Sequence, residues 1–206
     1  MEYALIAALI LFLIYLFFEA RKKSSRVALA VSAEKKAIAE DSGMTAILGV
    51  FSPDLQTTVV IGASEEKGLF YYRMLKQTKI INKSRINLAN LARIDFMING
   101  KPREISENSE QLTLSLRATE IADNTVASIS HEELKSVQRA ALRIVFYGDS
   151  GAEKTLDITV FRHNDEKQKF ERVQLLKSAA WWTAYLRMCS RKTRQIRASL
   201  EPENIE

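Results

Sequence analysis

Few residues in this chain are of types that do chemistry. Gly148-Asp-Ser-Gly151 places a serine in a tetrapeptide that recurs around nucleophilic serines. A working serine needs a histidine base held in turn by a carboxylate, and the chain has only two histidines, His131 and His163. The tetrapeptide also lies between two alternating apolar runs, where Gly, Asp and Ser serve as turn residues. With one cysteine, Cys189, and two well-separated histidines, the spacing builds no closed zinc shell. The seven glycines are scattered singly at turns, so neither a phosphate loop nor a dinucleotide fingerprint is present. Carboxylates sit at turns, in polar loops or beside lysines. The expectation is therefore a non-enzyme without cofactor or metal; an uncharacterised enzyme is a third-ranked reading. Cys189 falls in an apolar helical segment, which makes it a buried, inert thiol, and a single cysteine fits a reducing compartment.

Basic residues form the other chemical signal. The net charge of +5 on 206 residues is modest but uneven. Arg21, Lys22, Lys23 and Arg26 cluster near the start, and Arg187, Arg191, Lys192, Arg194 and Arg197 near the end. Such clusters attract anionic lipid or nucleic acid, although a solvated helix face explains them as well. Leu69-Phe-Tyr-Tyr-Arg73 with Lys76 and Lys79 is the nearest approach to a nucleic-acid platform. Alternating aromatics in a hairpin more often pack a core, so nucleic acid is not expected as a partner.

The elements that position these groups begin with an uncharged apolar run from Tyr3 to Phe18, including Leu9, Phe12 and Tyr15. With its flanks it approaches the length of a membrane span. Bulky residues at its end and the lack of a basic start argue against a cleaved leader. The reading is a transmembrane anchor over 1–20, with the basic cluster Arg21, Lys22, Lys23 and Arg26 fixing topology on the inner side. It implies a single-pass protein of the inner or plasma membrane with the bulk of the chain cytoplasmic. Residues 21–46 are rich in Ala and Lys and are expected as a helical stalk.

A domain over 47–197 follows, then an acidic tail over 198–206. Thr57–Ile61 and Leu69–Leu75 read as a hairpin. Lys79–Ile81 and Arg85–Leu88 read as short pieces separated by a turn. Ile94, Phe96 and Ile98 alternate into Asn99-Gly100, whose pair of residues suits a type I′ turn, and Pro102 marks the return strand as an edge. Leu112, Leu114 and Leu116 alternate as a further strand. Ser130-His-Glu-Glu133 has the spacing of a capping box. Runs at 142–146 and 156–160 form another hairpin. A long final helix carries two apolar stripes, one through Leu176, Ala180, Trp181, Ala184 and Met188, the other through Leu175, Ala179, Trp182 and Leu186.

Short strands in hairpins, the segment Ile86-Asn-Leu-Ala-Asn-Leu-Ala-Arg-Ile-Asp-Phe96 and a tryptophan in a closing helix together resemble the pleckstrin-homology-like family over about 57–189. The resemblance implies an α+β fold. Behind the anchor and stalk would stand an antiparallel sheet or partly open barrel of about seven strands, closed by the C-terminal helix with Trp181 as plug. Family members bind phosphoinositides around the first hairpin. Here that loop, Gly62–Gly68, is acidic, leaving only Lys67, Arg73 and Lys76, and the departure favours a scaffold role. The leading expectation is a membrane-held domain that recruits or scaffolds a protein partner, or a second copy of itself, through Leu175, Trp182 and Leu186. The alternative is an anionic-lipid sensor using Lys67, Arg73, Lys76, Arg191, Lys192 and Arg194.

Overall fold

β-branched and aromatic residues dominate 57–76, and they form the centre of the first of two antiparallel sheets. A computed structural model of the chain describes residues 2–42, 46–52, 56–109, 111, 113–148, 150–163 and 166–200. The first sheet is a meander of β1 (Ala46–Phe51), β2 (Thr57–Ser64), β3 (Leu69–Lys76) and β4 (Lys79–Asn87), paired in that order. The second, after a 3-10 turn at Leu88–Asn90, contains β5 (Leu91–Ile98), β6 (Lys101–Arg103), β7 (Arg139–Tyr147) and β8 (Glu153–Arg162), in the order β6-β5-β7-β8. Four helices complete the chain: α1 (Glu2–Ser42), α2 (Leu114–Ala127), α3 (His131–Ser136) and α4 (Glu166–Leu200).

Several local signals act as their chemistry dictates. Asn99 and Gly100 both take positive φ, 50° and 81°, turning β5 into β6. β6, with Pro102, lies at the edge of its sheet. Ser130 Oγ accepts from the Glu133 amide at 3.1 Å and starts α3. Lys79–Asn87 is one strand rather than two pieces: Asn82, Lys83 and Ser84 pair with Met74, Arg73 and Tyr72, and a register shift opposite Met74 and Leu75 takes up Ile81.

The core lies between the two sheets, and α4 runs through it. Phe70, Tyr72, Phe96, Leu142 and Phe161 from the strands meet Leu176, Trp182, Tyr185 and Leu186 from α4, with Ile121 and Val126 of α2 on its other side. Trp182 fits because Gly49 of β1 has no Cβ; one built there would stand 2.6 Å from the indole Nε1. A second, small cluster joins Ile38 of α1 to Val60, Tyr71 and Leu75 on the outer face of the first sheet. Gly62 admits α1 there, since a Cβ would lie 2.8 Å from Ile38 Cγ2.

The fold corrects four expectations. Among the described residues, no helix is long and apolar enough to cross a membrane. The apolar run of α1 has sixteen residues, about 24 Å of helix at about 1.5 Å each, against roughly 30 Å of hydrocarbon. The transmembrane anchor, the single-pass topology and the inner- or plasma-membrane placement are therefore withdrawn. The side chains of Tyr3, Leu9, Phe12, Tyr15, Phe18 and Lys23 lie outside the described ones, while Arg21, Lys22 and Arg26 are exposed on a helix that continues unbroken to Ser42. Anchor and stalk are thus one helix. The strands also form two four-stranded sheets, not one seven-stranded sheet or barrel. Leu114 and Leu116 are helical because Thr113 caps α2, accepting from the Leu116 amide at 3.4 Å, and the cap overrides a short alternation; Leu112 lies outside the described residues. Finally, Trp182, 4% exposed, fills the core, while Trp181 is only partly buried and donates from Nε1 to Thr119 Oγ1 of α2 at 3.1 Å.

Candidate anion-binding cleft

Arg187, Arg191 and Arg194 stand at steps of four and three on α4, so they share one face of the helix. That face passes the start of β5, which contributes Arg93 and Asp95, and the irregular segment after β6, which contributes Glu107. The three arginines, Arg93 and Glu107 line a cleft of about 270 Å³ with Leu91, Ala92 and Ile94, and Asp95 stands behind it, paired with Arg93 and Arg187.

Arg187 is fixed at the base of the cleft. Its Nε donates to the Ile94 carbonyl at 2.7 Å, its Nη2 lies 3.5 Å from Asp95 Oδ1, and its Nη1 lies 3.3 Å from Glu107 Oε1. Arg191 pairs through Nη2 with the other oxygen of the same carboxylate, Glu107 Oε2. Arg93 pairs with Asp95 at 2.9 Å. Arg194 folds back on its own helix, donating from Nη2 to Ser190 Oγ at 3.1 Å, and Ser190 donates to the Leu91 carbonyl at 3.5 Å. Four guanidinium groups thus face two carboxylates, an excess of two positive charges around one concavity. Charge-assisted, forked contacts of this kind are the strong ones for planar or tetrahedral oxyanions.

The residues singled out in the sequence are divided by the structure. Trp182 and Leu186 are buried in the core, at 4% and 0% exposure, so they are not a partner surface. Leu175 is half-buried against the same core. The reason is geometric: α4 lies between two sheets and α2, and both of its stripes find cover. Lys67 donates to the Asp41 carbonyl at 2.8 Å and Arg73 pairs with Glu34 at 2.9 Å. Both are engaged with α1, away from a lipid-facing patch; Lys76 is exposed at the far end of the same hairpin. Lys192 pairs with Glu65 of the β2–β3 turn, which raises its pKa through that hydrogen bond. Of the six residues only Arg191 and Arg194 meet at the cleft.

Arg93, Asp95 and Glu107 were not among the sequence candidates, and Arg187 entered only as one of the basic residues clustered near the end of the chain. The i, i+4, i+7 spacing of Arg187, Arg191 and Arg194 was the available signal; nothing local tied it to Arg93 or Glu107, which lie more than 75 residues away in the chain.

Other chemistry-bearing groups are placed apart. Ser150 is exposed in the β7–β8 turn, where Gly151 has a φ of 74°, and Asp149 lies outside the described residues. His131 is exposed at the start of α3, and His163 approaches Arg172 Nη2 at 3.4 Å. Cys189 is buried, and burial pushes its thiol up to about 12. Among the described residues, no group of three or more His, Cys, Asp or Glu is arranged to hold a metal ion. The chain matches no family model, no curated protein and no solved structure.

Proposed function

We propose that this chain is a non-catalytic binding module that recruits an acidic protein partner, holding it through the arginine-rich cleft beside α4. The observation that carries the reading is the convergence of Arg93, Arg187, Arg191 and Arg194 on one concavity. A lining of guanidinium groups, one glutamate and aliphatic residues is chemistry that holds an anion rather than one that breaks a bond. Complementary charge gives such a site specificity and a fast, salt-sensitive association.

The test is crosslinking in the native cell, using the full chain and a double charge reversal, Arg191→Glu with Arg194→Glu. Arg191 and Arg194 are both exposed, and the reversal costs the domain one partly exposed ion pair, Arg191–Glu107, so the variant should remain folded by circular dichroism. The wild type should yield crosslinks between an acidic segment and the cleft rim, and the reversal should reduce them by about tenfold or more. Undiminished crosslinks in a folded variant would remove the cleft from recruitment.

A further inference from the structure

We propose that the group held in the cleft is a phosphoryl group on a segment of the partner protein, and that Glu107 is the internal carboxylate it displaces. The inference rests on the recruitment reading above and names the ligand chemistry of the same site.

Glu107 shows how the cleft grips an anion. Arg187 takes one of its carboxylate oxygens and Arg191 the other. The two guanidinium groups are therefore already set at the separation that clamps a group with two or more acceptor oxygens. A carboxylate supplies two oxygens and one charge, and it leaves Arg93 and Arg194 at the cleft without that anion. A phosphomonoester supplies three acceptor oxygens and about −1.5 to −2 charges near neutral pH, set against the three positive charges in excess that four guanidinium groups and Asp95 leave once Glu107 is displaced. Exchanging Glu107 for such a group replaces a weaker anion by a stronger one on the same donors.

The neighbouring backbone favours recognition of a side-chain group. β6 pairs with β5 only over 96–98, and the earlier part of that side of β5 is where an extended peptide would add as a strand. Arg187 Nε already occupies the Ile94 carbonyl, and Ser190 Oγ the Leu91 carbonyl. Both acceptors on that edge are thereby used from within. The concavity and its two carboxylates also suit one discrete anion better than a flat anionic lipid surface, which would meet Glu107 and Asp95 along with the arginines.

Glu107 lies in the irregular segment between β6 and α2, held at the cleft by those two ion pairs and only 23% exposed at its side chain. Its substitution by glutamine removes the competing charge and keeps the shape. The sign of that effect is what separates displacement from mere proximity: a ligand that displaces Glu107 binds the variant more tightly, whereas a ligand that relies on Glu107 binds it less.

Calorimetric titration of the full chain tests the proposal with five probes: a short neutral peptide bearing one phosphoserine, the same peptide with serine, the same with glutamate, inorganic phosphate, and phosphatidylserine vesicles. The phosphopeptide should bind about tenfold or more tightly than the glutamate peptide, and the serine peptide should not bind. Glu107→Gln should strengthen phosphopeptide binding severalfold, and Arg191→Ala with Arg194→Ala should weaken it about tenfold, with melting curves unchanged. Equal binding of glutamate and phosphoserine peptides would overturn the phosphoryl assignment while leaving recruitment of an acidic partner standing. Inorganic phosphate binding as tightly as the phosphopeptide would make the ligand a free anion, and vesicle binding lost in the arginine variant would make it a lipid headgroup; either overturns the protein source. Absent phosphopeptide binding, or weakening by Glu107→Gln, overturns the proposal itself; the crosslinking result then decides separately whether recruitment survives.

Discussion

The two long helices of this chain are opposite in use. α1 has 41 residues and α4 has 35, and each carries more apolar surface than one sheet face needs. α4 spends that surface inside the molecule: from Leu176 to Ser190 it is covered by two sheets and α2. Within that covered stretch Thr183 donates to the Ala179 carbonyl at 2.8 Å and the Tyr185 hydroxyl meets the Cys189 thiol. Among its described residues, α1 meets the domain through its C-terminal third. There, among the described residues, Ile38 is the one buried residue of the helix, and the Tyr71 hydroxyl beneath it is buried with no hydrogen-bond partner. An unmet hydroxyl costs about 1–3 kcal/mol. The lesson is that apolar length does not decide a helix's role; the number of surfaces available to cover it does.

The comparison breaks most visibly at Trp182. If α4 is the core of the domain, Trp182→Ala should lower global stability by about 3–5 kcal/mol, as truncation of a large buried aromatic does. Chemical denaturation followed by circular dichroism measures it. A loss below about 1 kcal/mol would mean that the indole contributes little packing, and would return that stripe to the surface.

Ile38→Ala tests the other helix. The satellite cluster it joins is small, so the expected loss is near the lower end of the range for Ile→Ala, about 2 kcal/mol, and it should be local. Amide exchange should accelerate over 30–41, where Arg73–Glu34 and Lys67–Asp41 also hold the helix. Protection over 176–190 should stay unchanged. If both regions lose protection together, the helices form one cooperative unit and the contrast between them fails.

Much of this was legible in local chemistry. Asn99-Gly100 forced its hairpin, Ser130 capped its helix, and alternation marked β5, β7 and β8, because each depends on neighbours in sequence. What was not legible depended on partners far away. Trp181 and Trp182 are adjacent, and only the absence of a Cβ at Gly49, some 130 residues earlier, gives Trp182 the core position. The apolar start of α1 invited a membrane reading because hydropathy alone cannot tell a sixteen-residue run from a longer one that its flanks complete. The cleft was half visible, as an arginine face on α4; its carboxylates and Arg93 arrive by folding alone.

A pair remote from both helices calibrates how much charge contributes here. Arg143 on β7 faces Asp157 on β8, with Nε to Oδ1 and Nη2 to Oδ2 both at 2.8 Å. The hydrogen bonds from Arg143 hold the Asp157 carboxyl below its ordinary value, and Arg139 adds to the effect. A depressed folded-state pKa means that its stabilisation is present above the unfolded carboxylate value, near 3.9, and fades as pH falls through the folded value. Both side chains are about a third exposed, so solvent screening limits the gain to about 1 kcal/mol or less. Asp157→Asn should therefore melt slightly below the wild type at pH 6, and the gap should close as the pH is lowered through the depressed Asp157 value. A gap that persists in acid would assign the difference to shape rather than charge. A larger gap, rivalling that of Ile38→Ala, would mean that surface electrostatics, and not coverage, ranks the two helices.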